Sequence, residues 1–279
     1  PTLVPLEQNE DDNFREETAE PDEAAVPRSR PKRGSCLKME NSDVLLSMVR
    51  QPYRATVLDR FPQEDYSDAP LPASVPVFVF PTGLTLKLEC PLPVFFSVVL
   101  TDEQGNRRYG AVLQVHETMS AKVMGVGMLE NMPQSFQNQL FVPKALCVFS
   151  RWPFIGVFKD FLTSLYRRSC STNSIPLERI LCNFMQEVPL PPPGRITVRY
   201  TLPSPLGVQV FPPIARPALN DYPFIDVPLE ALFKVLDADR VVRVMECCLM
   251  EQRMLFLSNQ PGLLTAVAES LLSLLFPFK

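Results

Sequence analysis

"VFFSVVLTDEQGNRRYGAVLQVHE", Val94–Glu117, decides the fold class. Two apolar runs flank the polar stretch Asp102–Arg108, where Gly105-Asn106 supplies the turn chemistry of a hairpin. Working outward, "VPVFVF" (75–80) and "LTLKLE" (84–89) read as strands before the hairpin, and "ALCVFS" (145–150) as a buried strand after it. Past Trp152-Pro153 the period becomes helical: Phe154, Phe158, Phe161, Leu162, Leu165 and Tyr166 share one helix face, and Pro153 suits its first position. A second amphipathic helix, 177–188, stops at "PLPPPG" because proline cannot continue it. Residues 53–190 thus form a meander sheet backed by helices.

A second block reopens with the strand "RITVRYTL" (195–202) and a proline-rich connection. Helices at 229–236 and 241–249, a strand "MLFLSN" (254–259) and a helix at 262–276 follow, which makes 191–279 a second α/β sandwich. The division falls in Pro189–Gly194. Thirty prolines punctuate the ordered part into short elements, and the sequence carries no internal repeat.

The first 52 residues have a different chemistry. Residues 1–27 carry nine acids against Arg15 alone, a net charge of −8 within a total of −4, and this acidic segment has too little apolar surface to fold. Arg28, Arg30, Lys32 and Arg33 then form a basic cluster, which fits a solvated linker, contact with anionic lipid or contact with a localisation receptor. Deleting residues 1–40 is expected to leave the melting temperature almost unchanged. With no initiating methionine and a stop directly after an apolar helical pattern, the chain is expected to be part of a longer protein. Seven cysteines without a C-x-x-C pair read as reduced thiols in the cytosol. The longest apolar run is short and contains Glu269, so it reads as a core helix and not a membrane span.

No motif supplies catalytic chemistry. The sequence lacks a phosphate-binding G-x-x-x-x-G-K-[ST] loop, a G-x-S-x-G elbow and any H-x-x-x-H pair, so no cofactor and no metal are expected. His116 is the only histidine and reads as an ordinary strand residue. Cys247-Cys248 read as small core residues, and Asp102 with Glu103 as solvated loop carboxylates. Nothing suggests nucleic-acid binding.

Six stretches, taken in order, resemble the DENN-domain family. They are "VLDRFPQEDYSDAPLP" with its apolar sequel ending at Gly83, "FFSVVLTDEQGNRRYGAVLQ", "PKALCVFSRWPFIGVFKDFLTSLY", "EVPLPPPG", "MEQRMLFLSN" and "LLSLLFPFK". The resemblance covers residue 53 to the end. It implies an α/β architecture: a longin-like upstream lobe at 53–190 and a central DENN lobe at 191–279, incomplete at its C-terminus. It also implies a cytoplasmic protein, recruited peripherally to vesicle or endosomal membranes, that exchanges guanine nucleotide on a Rab-type small GTPase in its GDP-bound or nucleotide-free form. An exchange factor needs a rigid surface with aromatic and arginine anchors and no bond-making group. The contact candidates are Asp102, Asn106, Arg107 and Arg108 on the hairpin, and Arg151, Trp152 and Phe154 at the corner after the third strand. For the corner, a structural role for Trp152 stands beside GTPase contact. Two other readings stay open: a GTPase-activating protein with an arginine finger from Arg107 or Arg108, and a non-catalytic trafficking scaffold.

Overall fold

The structure is a computed structural model that describes residues 46–278 apart from 68–69, 82, 120–139, 172–174, 205–206, 219–221, 223 and 225. The acidic and basic segments lie outside the described residues. Two compact units divide the chain, the first containing Tyr66–Pro91 and His116–Pro143 together with residues up to Arg60, the second containing Leu92–Val115 and Lys144–Lys279 together with Phe61–Asp65. As predicted from the alternation of strand and helix patterns, the architecture mixes helices with antiparallel sheets.

In the first unit, Tyr53, Leu84, Leu86, Met119, Leu140 and Val142 form the core. Helix α1, Val75–Val79, replaces the strand expected at "VPVFVF". Val75 and Val79, one turn apart, are buried, whereas Val77 between them is 65% exposed, a helical burial pattern that a strand could not give. Pro76 sits in the first turn, where its missing N–H costs nothing; in a ladder it would remove a donor. "LTLKLE" keeps its alternation, with Leu84 and Leu86 inward, but makes only single bridges, to Tyr53 and to Phe141. Among the described residues no partner runs beside it for longer, and it does not become a continuous strand there.

The second unit holds a three-stranded sheet in the order β1 (Val94–Thr101), β2 (Arg107–Thr118), β3 (Phe141–Ser150), with the last few residues of β2 and the first of β3 assigned to the first unit. The β1–β2 pairing runs from Val94↔Gln114 to Thr101↔Arg107, which is the hairpin read from the sequence. Gly110, in the centre of the sheet, admits close neighbours: a Cβ there would lie 2.6 Å from Phe149 Cε1 and 2.7 Å from Val98 Cγ2.

Helix α2, Ile155–Ser169, buries Phe158, Phe161, Leu162 and Leu165 as its periodicity requires. It begins two residues later than Pro153, with Phe154 as N-cap. Helix α3, Leu177–Cys182, continues as a π-turn, Asn183–Glu187, closed by the Val188 N–H donating to the Asn183 carbonyl at 3.2 Å. The prolines that follow end it.

The expected strand at 195–202 is two shorter ones, β4 (Thr197–Val198) and β5 (Thr201–Ser204). The proline-rich connection contributes their partners, β6 (Gly207–Val210) and β7 (Ile214–Ala215). One core joins Leu113, Val148, Phe161, Ile180 and Phe184 to Tyr200, Leu202, Phe211 and Ile214, residues from both sides of Pro189–Gly194.

Helices α4 (Glu230–Val235), α5 (Ala238–Leu249) and α6 (Pro261–Leu274) pack around Leu232, Val241, Val267 and Leu271. The strand expected at "MLFLSN" is absent. Phe256 packs on this cluster, but Leu255 and Leu257 are 81% and 84% exposed, and no described strand lies alongside to complete a ladder. Helix α6 covers the outer edge of β1. Gly262 brings its backbone against Phe96, and the Thr265 hydroxyl donates to the Ser97 carbonyl at 2.7 Å, satisfying a group on an otherwise open edge.

Candidate functional site

The hairpin tip is built by Asp102. Its Oδ1 accepts from the backbone N–H groups of Asn106 (2.7 Å) and Gln104 (3.0 Å), and its Oδ2 accepts from Asn106 Nδ2 at 2.9 Å. These bonds hold its carboxyl below the usual carboxylate range, with smaller help from Arg108. Gly105 takes φ +83°, the left-handed backbone that closes the turn. Asp102 and Asn106 are thus the frame of the tip, and Arg107 and Arg108 leave it at the start of β2.

Arg107 donates to the Tyr109 hydroxyl and faces Glu269 of α6. Burial raises the Glu269 carboxyl, and Arg107 partly offsets that rise. Arg107 itself is exposed.

The corner after β3 lies at the same end of the sheet, because Phe149, next to the end of β3, sits against Gly110, three residues from the start of β2. Arg151 is exposed. Trp152 is half-buried between two groups: its ring stacks on Phe154 (centroids 6.3 Å apart) and carries the Arg216 guanidinium at 4.0 Å. Arg216 also donates from Nη1 to the Pro191 carbonyl. Phe154 is 4% exposed and packs edge-on against Phe158 and Phe224, so it anchors the corner from inside and offers no surface of its own.

From there an aromatic chain continues. Phe158 meets Phe184, Phe161 stacks on Phe184 at 3.9 Å, Phe184 meets Tyr200, and Tyr200 stacks on Phe211. Each such pair adds roughly 0.5–1.5 kcal/mol beyond its buried area. The corner is consequently a rigid platform, and the structure brings Arg107, Arg108, Arg151 and Trp152 to one end of the sheet.

Sequence reasoning missed the residues that fix this platform. Phe154 has no side chain with which to cap α2, and Asp226 does so instead, its Oδ2 accepting from the Gly156 N–H at 2.7 Å. Burial, reinforced by Asp160, raises the Asp226 carboxyl even though the Gly156 bond favours the ionised form. Arg216 was equally unmarked. An isolated Asp or Arg in a proline-rich connection carries no periodic signal.

The other chemistry-bearing side chains lie apart among the described residues. His116 is partly buried, with its pKa lowered by burial and by Lys87, and no cluster of metal-ligating side chains occurs among the described residues. Cys247 and Cys248 are free and half-buried on α5, and burial pushes the Cys147 thiol up to about 12, out of nucleophilic use. No helix among the described residues is long and apolar enough to cross a membrane.

What the fold and site define is an α/β module that displays loops at one end of a braced sheet. A family model described as the uDENN domain matches residues 55–115, and one described as the DENN (AEX-3) domain matches residues 141–279. DENN domain-containing protein 3 of Mus musculus is 30% identical over an alignment of 224 residues that covers 77% of this chain and 17% of that protein. No solved structure matches the chain. The chain belongs to the DENN-domain family, whose members are associated in general with Rab GTPases. It spans about a sixth of the length of its mouse relative.

Proposed function

We propose that this chain is the GTPase-facing part of a guanine-nucleotide exchange factor that promotes GDP release from a Rab-type small GTPase, in the cytoplasm and at vesicle or endosomal membranes. The observation that carries this reading is the ordered pair of uDENN and DENN matches spread over both compact units. The geometry supports it through a braced surface, with Arg108, Arg151 and Trp152 at one sheet end. Exchange requires no bond-making group. A nucleotide is held by the GTPase switch segments and Mg²⁺, and a partner that prefers the nucleotide-free shape shifts the equilibrium toward release by its differential affinity alone. Each tenfold preference corresponds to about 1.4 kcal/mol.

The test mixes the protein with a Rab panel and follows labelled-GDP release and phosphate production together. Accelerated release from at least one Rab, with tightest binding to its nucleotide-free form, is the expected result. Equal affinity for GDP-bound and nucleotide-free forms across the panel refutes exchange. Faster hydrolysis without faster release identifies a GTPase-activating protein, and binding with neither effect identifies a scaffold.

A further inference from the structure

Arg216 lies directly after β7 and, within the second unit, ties the corner loop to the proline-rich connection. Its guanidinium carbon sits 4.0 Å from the centroid of the Trp152 ring, and its Nη1 donates at 3.4 Å to the carbonyl of Pro191, a fully buried residue. Its own carbonyl accepts from the Gly194 N–H at 3.2 Å. Ala215, the residue before it, pairs with Thr197 in the β4–β7 ladder. Nε is buried, so the head group rests on the protein and does not extend into solvent. Backbone, stem and head group of Arg216 are thus fixed before any partner arrives.

The corner is held differently. The Trp152 N–H donates to Ser150 Oγ at 3.1 Å, and its carbonyl accepts from the Phe154 N–H at 2.9 Å. Those bonds fix the backbone of Trp152 and do not set the side-chain torsions of the indole. Phe154 meets the ring at a centroid distance of 6.3 Å, near the outer limit of aromatic pairs, whereas the cation over the ring is much closer. The indole is half-buried, so part of it stays open beside the exposed Arg151. An aromatic anchor that must be ordered on binding loses affinity by that cost, and one held in advance does not.

Resting on the exchange reading, we propose that Arg216 is the positioning residue of the GTPase-contacting corner, holding the Trp152 indole in the orientation that a Rab meets. Arg216 acts through the ring and not by touching the partner, since its head group faces the indole and the Pro191 carbonyl.

Trp152 is the only tryptophan, so intrinsic fluorescence reads the corner without a label. Arg216→Gln keeps a donor for the Pro191 carbonyl and removes the cation from the ring. Its emission is expected to shift to the red and to become easier to quench with acrylamide. Arg216→Lys restores both properties, and Arg199→Gln, at an exposed arginine between β4 and β5, changes neither. In labelled-GDP release from the Rab panel, Arg216→Gln raises KM about two- to fivefold with kcat unchanged, and Arg216→Lys returns it toward the unaltered value. In a Trp152→Leu background Arg216→Gln adds nothing, because it acts through the ring. Unchanged fluorescence in Arg216→Gln overturns the proposal. So does altered fluorescence with unchanged KM, a fall in kcat alone, or a further rise in KM in the Trp152→Leu background. If Arg216→Gln does not fold, Trp152→Leu decides: an unchanged KM overturns the proposal and a raised one sustains it. No release from any Rab by the unaltered protein is a different failure, which refutes the exchange reading and the proposal with it; release by the unaltered protein with any of the adverse results above refutes the proposal alone.

Discussion

Asp226→Ala removes the group that caps α2 from a segment 70 residues away. The Gly156 N–H, bonded at 2.7 Å in the native structure, is then left without an acceptor at a partly buried helix end. Losing a helix cap costs about 0.5–2 kcal/mol, and at this chain length each kcal/mol lowers the melting temperature by about 2–4 °C. A fall of roughly 2–6 °C at neutral pH is expected in differential scanning calorimetry. Asp226→Asn keeps an acceptor and supplies the second half of the test. Because burial raises the Asp226 carboxyl in the folded state, the folded protein holds this proton more tightly than the unfolded chain. That contribution is fully present below the unfolded pKa and is lost as pH rises through the elevated folded one. The groups facing it are the Gly156 N–H, which favours ionisation, and Asp160, which opposes it. The Asn variant, which does not titrate, should therefore gain on the unaltered protein as pH is raised from about 4 to about 7. An Ala variant as stable as the parent, or an Asn variant that loses ground as pH rises, refutes the reasoning.

Three further predictions follow from other parts of the structure. Gly110→Ala drives a methyl into Phe149 and Val98, and should cost about 1–3 kcal/mol in chemical denaturation, with no effect pointing to a Phe149 ring that swings clear. Arg107→Ala with Arg108→Ala should alter Rab affinity modestly and leave GTP hydrolysis unchanged, whereas a loss of catalysed hydrolysis near 10³-fold would point to an arginine finger. Leu255→Ser with Leu257→Ser, at positions 81% and 84% exposed, should change stability by less than about 0.5 kcal/mol each while reducing self-association in light scattering; a large fall in melting temperature would show these leucines to be buried.

The sequence by itself determined the elements whose information is local. The β1–β2 hairpin, with Gly105-Asn106 at its tip, and helices α2, α5 and α6 follow from periodicity and turn chemistry alone. The ordered motifs likewise identified the family. Tertiary structure decided everything that depends on a distant partner. "VPVFVF" and "MLFLSN" both have strand-like composition, yet a strand exists only where another chain segment meets its backbone groups, and neither finds one among the described residues. The short strands β6 and β7 arise the opposite way, in a segment whose prolines obscure a strand pattern, because β5 and β4 present ladders for them. At the site, the local sequence marked the loops that carry Arg107, Arg151 and Trp152. Their bracing by Arg216, Asp226 and Glu269 was invisible, since a single charged residue acquires its role only from what folding places beside it.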